Sequence, residues 1–527
     1  MSLLRAASLI AFLSLVSKVV GLFRDQIIAY YCGLSAVTDA YQVASLIPVQ
    51  FALIMLGGLN GPFHSAVVST LTRFFKEDKP KVYGRVLTTA MLLSVVSTSL
   101  IATLLFVFAP QIMALWGKMP AETVALAVIQ MRIMAPAFVV SGLIGIFYGI
   151  LSIKNTFITP SLSPIMASLG VIVSLVLFSG PDPVSLSQAL AWGTLFGAIL
   201  QLLLQLVPLL GFFKTMHVEV DFKDPELKNF LHLLLPAMLS STIGQVNIFI
   251  IQFFAGGLQE GSISAFRFGN LLIQLPLGIL LTALLVPLLP LLSAAINTEE
   301  LSGVTSEATF LPLKERLNQG LRPILMLTVP ITILLICFGH FAIVLLFERG
   351  EFNAADSWLT YQVLVFLSLS ITVYAIRDLL IRVFYALGDS KTPFLSSFIT
   401  IGAMFLGSWL LAPSLGVGGV ALASSLAAAL NFVVLYFLLR SRIGALMTGS
   451  SKKHLLKITG AALPVIVLGT YAFYTLEQLL PLNKWQTIFQ AIVYSGVLGA
   501  LYIALLYLFK DQEVHQLSRT LLRRIKR

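Results

Sequence analysis

Residues 14–48 read SLVSKVVGLFRDQIIAYYCGLSAVTDAYQVASLIP, an apolar stretch that carries Lys18, Arg24, Asp25 and Asp39. A charged side chain at the centre of a membrane helix costs about 2.5–3.5 kcal/mol on insertion scales, so such residues usually face the protein interior or a wet cavity. We therefore predict that these four residues line a cavity and that the rest of the chain forms its wall.

The composition indicates a polytopic, all-α membrane protein. Of the 527 residues, 58% are hydrophobic and 11% are charged, whereas soluble domains carry about 25% charged residues. Cys32 and Cys337 are too few for a disulfide framework and lack a metal-binding spacing. The apolar run after Arg5 is not followed by a signal-peptide cleavage pattern, and we interpret it as a retained first span.

Apolar runs of about 20 residues predict membrane spans, and the chain contains fourteen of them. They lie at 7–31, 38–63, 86–109, 123–150, 159–179, 186–210, 229–256, 262–294, 321–347, 357–387, 393–412, 417–439, 455–476 and 486–509.

The net charge of +11 reports membrane orientation rather than a nucleic-acid partner. Of the 34 lysines and arginines, 25 fall in alternate loops, at the edges of those loops or in the two termini, and three (Lys118, Arg349 and Lys484) fall in the other loops. Because loops rich in Lys and Arg stay in the cytoplasm, this asymmetry predicts that both termini are cytoplasmic. We expect no nucleic acid to bind.

An internal repeat relates the two halves of the chain. The run TPSLS at 159–163 recurs as TPFLS at 392–396, an offset of 233 residues, and ALA at 189–191 recurs at 421–423, an offset of 232 residues. Six predicted helices separate the copies, which therefore have the same orientation. This pattern predicts two parallel six-helix lobes with a central site between them.

The predicted organisation follows from this repeat. It comprises an N-terminal lobe (1–210), a cytoplasmic linker (211–228), a C-terminal lobe (229–440), a second linker (441–454), a C-terminal helix pair (455–509) and a basic cytoplasmic tail (510–527). We expect the tail to contact anionic lipid headgroups.

No enzyme signature is present in the sequence, since it lacks a P-loop, HExxH and GxSxG. We interpret His64, His232 and His340 as packing residues rather than ligands. Two Gly-x-x-x-Gly patterns, at 145–149 and 193–197, predict close helix packing.

The predicted spans hold more cations than acids. Apart from Arg322 and Lys457 at the span ends, the cations are Lys18, Arg24, Arg132, Arg267, Arg377 and Arg382, and the acids are Asp25, Asp39 and Asp378. Lys18 and Asp25 share a helical face and Arg24 lies about 100° from Asp25, so we expect Arg24 to lack an acid of its own. Four residues separate Asp378 from Arg382, which predicts a structural pair.

An excess of buried cation favours an anionic substrate, because Arg binds phosphate through forked donors and Lys binds it as a point charge. The alternative is that these residues form internal salt bridges or extend to the membrane surface.

Several motifs resemble the MurJ/MviN family of lipid II flippases. They are the run 17–25 (SKVVGLFRD) with Gly33, residues 38–41 (TDAY) and Pro48, the run 346–352 (LFERGEF), and the run 382–393 (RVFYALGDSKTP). The resemblance covers most of the chain and includes the number of predicted helices.

This resemblance implies the fold of the multidrug/oligosaccharidyl-lipid/polysaccharide exporters, with the last helix pair shaping a groove for a polyprenyl tail. It implies a transporter, not an enzyme, in the bacterial cytoplasmic (inner) membrane. By alternating access, it would move lipid II, the undecaprenyl-pyrophosphate-linked disaccharide-pentapeptide, to the outer leaflet for peptidoglycan synthesis. Membrane lipids and the peptidoglycan synthesis machinery are the other expected partners.

The resemblance also implies the site residues. Lys18, Arg24, Asp25 and Asp39 stand at family positions for headgroup binding, although the family often has Arg at the first. We expect no organic cofactor, and we expect dependence on membrane potential or a monovalent cation. Asp389 is a candidate ion-linked residue, although we favour a turn and helix cap for it.

Two departures from the family pattern affect the headgroup site. The family commonly has an Arg pair soon after the proline of helix 2, where this chain reads VQFAL at 49–53, and an Arg five residues before the proline of helix 8, where this chain has Leu271. Arg267 lies one helical turn before Leu271 and projects from nearly the same face. We therefore predict that Arg267 replaces the missing ligand and faces Lys18 and Arg24, the alternative being an interfacial arginine near the outer helix end.

Two other functions stay open from the sequence. One is a related exporter of another polyprenyl-linked glycan or a cation-coupled drug exporter, although cationic drugs fit poorly with excess basic charge. The other is a membrane enzyme acting on polyprenyl phosphates, which needs acidic metal ligands. We interpret Asp221, Asp224 and Glu226 as residues that solvate a basic linker instead.

Overall fold

The computed structural model describes residues 3–58, 61–280, 284–295, 310–480, 483–515 and 518, with the backbone alone at 3–11, 240, 279, 286 and 289. Every regular element in these residues is a helix. The predicted tail at 510–527 lies outside the described residues from 516 onward, apart from residue 518.

Two compact units make up the chain. The first contains Met1–Ser264 and Arg349–Asn353, and the second contains Ala265–Glu348 and Ala354–Arg527. The lobe and linker boundaries predicted from the repeat stay predictions.

The described part of the first unit contains twelve α-helices. They are α1 (Leu3–Cys32), α2 (Ala36–Ser45), α3 (Pro62–Lys76), α4 (Pro80–Val107), α5 (Ala109–Met113), α6 (Ala121–Met134), α7 (Ala137–Ile153), α8 (Ile158–Phe178), α9 (Pro183–Leu206), α10 (Leu210–Thr215), α11 (Pro225–Ile243) and α12 (Val246–Ala255).

The next helix, α13, begins in the first unit and continues into the second. Its range is Ser262–Leu280, and it is followed by α14 (Val286–Ala294), α15 (Leu311–Leu346), α16 (Ala354–Ser368), α17 (Ile371–Ala386), α18 (Lys391–Ile443), α19 (Gly449–Leu479) and α20 (Lys484–Leu508).

The helices have the length and composition of membrane spans, which confirms the predicted fold class. Within the described residues, nine are long and apolar enough to cross a membrane, and counting the bent pairs α6–α7 and α16–α17 raises the number to eleven. The predicted count of fourteen is consistent with this, because α18 covers two predicted spans and the eighth predicted span includes undescribed residues 281–283. The exact count stays a prediction.

Glycine residues allow two features of this architecture, which are close helix packing in the first unit and the break within α18 in the second. In the first unit, a Cβ at Gly145 would overlap the carbonyl oxygen of Leu56, and one at Gly197 would lie 2.6 Å from the carbonyl oxygen of Ala167. The two predicted Gly-x-x-x-Gly packing sites are therefore confirmed. In the second unit, Gly416 has φ of 58°, a left-handed conformation that favours glycine, and it divides α18 between the two spans predicted there.

The chain after α2 has wide, π-helical turns at Leu46–Phe51 and Leu53–Gly57. Pro48 lies in the first of them, and proline cannot donate the backbone hydrogen bond that a regular helix needs. Such turns often occur at functional sites. This stretch occupies the position at which the sequence lacks the family's arginine pair.

Candidate substrate-binding site

Helix α1 carries a charged cluster within its apolar length. The Asp25 side chain is 3% exposed, and the Arg24 side chain is 26% exposed. Lys18, two turns earlier, is exposed. All three predicted residues therefore lie on one helix of the first unit, with the two cations more accessible than the acid.

The guanidinium of Arg24 is held by the neighbouring carboxylate. Arg24 Nε and Nη2 both donate to Asp25 Oδ1, at 3.1 and 2.9 Å. The expectation that Arg24 lacks an acid of its own is therefore wrong, because its long side chain curves round the helix to reach the next residue. A guanidinium has five N–H donors, so this fork fixes its orientation and leaves three N–H groups for another anion.

Lys18 is the accessible cation of the cluster. It makes no ion pair among the described residues, although it shares a helical face with Asp25. A flexible ammonium on an exposed side chain is a suitable partner for an anionic group that arrives from outside the protein.

Asp39 makes a set of hydrogen bonds that the sequence does not predict. Its side chain is buried, and it accepts hydrogen bonds from Gly261 N at 2.9 Å, Ser264 N at 2.8 Å and Ser264 Oγ at 2.7 Å. These amides belong to the start of α13, so Asp39 caps a helix more than 200 residues away in sequence. Both carboxylate oxygens are engaged, and a contact between Asp39 and substrate stays a prediction.

Glu260 makes a matching contact, so α2 and α13 cap each other: Asp39 of α2 caps α13, and Glu260, just before α13, caps α2. Glu260 Oε1 accepts a hydrogen bond from Ala36 N at 2.6 Å, at the start of α2. Gly261, which joins Glu260 to α13, forms a tight turn against Leu34. Its φ is 83°, and a Cβ there would lie 2.6 Å from Leu34 Cβ. Sequence reasoning missed Glu260; an acid followed by Gly and Ser before an apolar run was the available signal.

The cytoplasmic linker predicted at 211–228 is anchored to the first unit. Arg85 Nε donates to Asp224 Oδ2 at 2.5 Å, and Asp224 is buried while it caps α11 by accepting from Glu226 N. The interpretation of Asp224 as a solvating residue is therefore wrong.

Arg267 lies on α13 in the second unit. It is half-buried, and its guanidinium carbon is 6.0 Å from the centre of the Phe268 ring. Its proposed substitution for the arginine absent at Leu271, and its opposition to Lys18 and Arg24, stay predictions.

Asp389 has the cap geometry that the sequence favours. It accepts from Thr392 Oγ1 at 2.6 Å, from Thr392 N at 2.9 Å and from Arg442 Nη1 at 2.5 Å. These donors, with Thr392 first, lower the pKa of Asp389 to about 2. Asp389 is therefore an ionised cap at the start of α18, and an ion-linked role for it stays a prediction.

Two further intramembrane cations have partners within their own unit. In the second unit, Asp378 pairs with Arg377 at 2.8 Å, so the predicted pairing of Asp378 with Arg382 is wrong. In the first unit, Arg132 Nε donates to Phe106 O at 3.2 Å near the end of α4, which supports a structural role.

The C-terminal helix pair encloses an apolar cleft of about 370 Å³ between α19 and α20. Its lining includes Leu468, Tyr471, Thr475, Leu479, Tyr494 and Val497. This cleft lies in the segment for which the sequence predicts a lipid-tail groove. Within the described residues, no group of three or more His, Cys, Asp or Glu side chains could hold a metal ion.

Comparison with known proteins identifies the family. The model of the family described as "Lipid II flippase MurJ" matches residues 28–495. The chain belongs to the lipid II flippase MurJ family. The family membership that the sequence motifs predict is therefore confirmed.

Curated members of the MurJ family match over most of their length. A "Probable lipid II flippase MurJ" from Synechocystis sp. is 32% identical over 542 residues, covering 100% of this chain and 98% of the relative. A "Lipid II flippase MurJ" from Burkholderia cenocepacia is 28% identical over 464 residues, covering 84% of each chain.

Solved structures agree on the fold. A structure titled "Lipid II flippase MurJ, inward closed conformation" has a TM-score of 0.75 at 21% identity and covers 95% of this chain and 98% of its own. An inward-facing multidrug resistance MATE transporter of the MOP superfamily has a TM-score of 0.63 at 17% identity, covering 83% of this chain and 98% of its own. The exporter fold implied by the sequence is confirmed.

Proposed function

We propose that this chain is a lipid II flippase, a transporter and not an enzyme. In this proposal it moves the undecaprenyl-pyrophosphate-linked peptidoglycan precursor from the inner to the outer leaflet by alternating access. The family match over residues 28–495 carries this proposal. The drug-exporter alternative is not favoured, since its support is a fold likeness at 17% identity.

The charged cluster on α1 supports an anionic headgroup as the ligand. Asp25 occupies one edge of the Arg24 guanidinium and holds the side chain in place. The remaining N–H donors of Arg24 and the ammonium of Lys18 then provide two cationic contacts for a pyrophosphate. Asp25 would act by orienting Arg24, because a carboxylate in direct contact with pyrophosphate would repel it.

We propose that the apolar cleft between α19 and α20 receives part of the polyprenyl tail. Its aromatic and aliphatic lining suits a hydrocarbon chain rather than a polar group. The headgroup and the tail of one lipid would thus contact chemically different surfaces of this chain.

Complementation of a depletion strain tests the headgroup proposal. Arg24→Lys keeps the charge but loses the fork, and Arg24→Gln keeps hydrogen bonding but loses the charge. We expect both to leave membrane protein levels near normal, with growth reduced by Arg24→Lys and abolished by Arg24→Gln. Arg132→Gln is the matched control because Arg132 is an exposed membrane cation outside the site, and it should support growth.

The outcome separates binding from folding. If Arg24→Gln lowers the amount of folded protein in proportion to growth, Arg24 stabilises the fold and the headgroup proposal is contradicted. Full growth with Arg24→Gln at normal protein levels would also contradict it.

We infer that the protein lies in the bacterial inner membrane with both termini in the cytoplasm. The distribution of Lys and Arg between alternate loops supports this orientation. Cysteines introduced near Gly180 and at Ser414 should react with an impermeant thiol reagent in intact cells, while one at Ser450 should not. Cys32 and Cys337 are buried, so background labelling should be low, and labelling at Ser450 would overturn the orientation.

We propose that transport needs no organic cofactor and depends on membrane potential or a monovalent cation. Family resemblance supports this energy source. Collapsing the potential with an ionophore in cells that depend on this chain should halt lipid II movement if potential is the source, and ion replacement should halt it if a cation is. Contact with peptidoglycan synthesis enzymes stays a prediction.

A further inference from the structure

The Arg377–Asp378 pair on α17 has the same geometry as the Arg24–Asp25 pair on α1. Arg377 Nε and Nη2 both donate to Asp378 Oδ1, at 3.2 and 2.8 Å. The corresponding distances in the first unit are 3.1 and 2.9 Å. The Arg377 and Arg24 side chains are 23% and 26% exposed. Each unit therefore contains a partly exposed arginine whose orientation is set by the next residue.

A second cation accompanies the pair on each helix. Arg382 lies five residues after Arg377, which corresponds to about 7.5 Å along the helix axis. Lys18 lies six residues before Arg24, or about 9 Å. Arg382 is half-buried and makes no ion pair with the described residues. Helix α17 thus carries the same set of groups as the charged cluster on α1, two cations and one acid.

Two neighbours on α17 fix the guanidinium of Arg377. Asp378 occupies one of its edges. Its central carbon lies 4.7 Å from the centre of the Tyr374 ring, and the face of such a ring attracts a cation. A guanidinium has five N–H donors, so the fork to Asp378 leaves three of them for another acceptor. Because the side chain is already oriented, an oxyanion would meet these donors in fixed positions, which lowers the entropic cost of binding.

Arg377 lies deep within an apolar span. Nine residues separate it from the end of α17 at Ala386, a rise of about 13 Å, whereas arginines that extend to the membrane surface lie near helix ends. Helix α17 has no exposed residue from 371 to 384, although α18 exposes large apolar side chains such as Leu406 and Trp409. Arg377 therefore lies on a recessed surface, where intramembrane charges usually serve a ligand or its pathway.

We infer that Arg377 and Arg382 form a second anion-binding site, which takes the pyrophosphate of the transported lipid. This inference rests on the proposed function, since it adds a second set of contacts for the same headgroup. The forked donors of Arg377 suit a phosphate group, and Arg382 supplies a further positive charge. Asp378 orients Arg377 without contacting the anion. The pyrophosphate thus has a cationic partner in each unit.

Binding of a short-chain polyprenyl pyrophosphate to the purified full chain in detergent micelles tests this site without transport. Isothermal titration gives its Kd, the polyprenyl alcohol of the same length controls for the tail, and phosphatidylglycerol tests for a phosphate of the bilayer. Arg377→Gln and Arg382→Gln remove the two cations in turn. Arg132→Gln is the matched control, because Arg132 is also a membrane arginine beside an aromatic ring, that of Phe106, and forms no ion pair with the described residues.

The two variants differ in the size of the expected effect. Arg377→Gln should raise the Kd of the pyrophosphate about tenfold or more, because it removes charge-assisted hydrogen bonds. Arg382→Gln removes a charge that no acid orients, so we expect a rise of about two- to fivefold. Arg132→Gln should leave this Kd unchanged. No variant should change the Kd of the alcohol, which has no anionic group.

An unchanged Kd in folded Arg377→Gln overturns the inference, and weaker binding by Arg24→Gln in the same assay keeps the proposed function. Equal loss of pyrophosphate and alcohol binding in Arg377→Gln overturns it too, because the residue then supports the fold. An equal rise for phosphatidylglycerol assigns the site to bilayer lipid and also overturns it. If Arg377→Gln does not fold, an unchanged Kd in Arg382→Gln decides against the site. A wild-type chain that binds the alcohol as tightly as the pyrophosphate contradicts the proposed function itself.

Discussion

Removal of the Asp39 carboxylate tests the reciprocal cap between α2 and α13. Asp39 accepts three hydrogen bonds, two from backbone amides and one from the Ser264 hydroxyl, at 2.7–2.9 Å. In Asp39→Ala, the amides of Gly261 and Ser264 lose their partner at a buried position. Each buried group left unsatisfied costs about 1–3 kcal/mol.

The net effect is smaller than the sum of the lost bonds. The wild-type carboxylate loses its hydration when the protein folds. This loss costs several kcal/mol and offsets part of the stabilisation that its hydrogen bonds provide. We therefore expect Asp39→Ala to lower the free energy of unfolding by about 3–5 kcal/mol. Asp39→Asn keeps one oxygen acceptor and the side-chain shape but loses the charge. We expect it to lower the free energy of unfolding by about half as much as Asp39→Ala does.

Ser264→Ala supplies the matched control, since it removes the hydroxyl and keeps the amide. We expect it to cost about 1 kcal/mol in the wild type and much less when combined with Asp39→Ala, because its partner is then absent. The measurement is the free energy of unfolding in mixed micelles for the four proteins of this cycle. A loss below about 1 kcal/mol for Asp39→Ala, or fully additive effects, would refute the cap.

Three further predictions concern other positions. Asp511→Ala should destabilise the protein by about 1–3 kcal/mol, because Nδ1 of the buried His454 lies 2.6 Å from Asp511 Oδ2 and loses this hydrogen-bond partner; thermal unfolding measures this, and an unchanged melting temperature would argue against the bond. Gly261→Ala should cost about 1–3 kcal/mol, because φ of 83° strains any side chain, and an unchanged melting temperature would contradict that strain. The pKa of Asp389 is about 2, below its ordinary 3.8, so its stabilisation is present above about pH 4 and is lost as pH falls through about 2. The stability difference between wild type and Asp389→Asn should therefore shrink on acidification, and a constant difference would contradict the cap.

The sequence predicts the helices well because their cause is local. An apolar run long enough to cross a bilayer forms a helix wherever it occurs, and glycines spaced four apart mark close packing before any partner is known. The division of α18 at Gly416 was likewise predictable, since polar and small residues interrupt the apolar run there.

The partners of the charged residues were less predictable because they depend on side-chain conformation and on distant segments. Helical angles separate Arg24 from Asp25 by about 100°, yet the flexible arginine reaches the carboxylate. Asp39 is satisfied by amides 222 and 225 residues away. Periodicity places a residue on a face of its own helix, but it does not report which helix end meets that face.

Lipid II translocation by the purified chain tests the central claim most directly. The chain is reconstituted into vesicles with fluorescent lipid II in both leaflets, and an impermeant quencher reports how much becomes accessible once a membrane potential is applied. We predict that accessible lipid II rises with the wild-type chain and does not rise with Arg24→Gln. Equal accessibility in vesicles with and without the chain, for protein that is folded and correctly inserted, would contradict the assignment of this chain as a lipid II flippase.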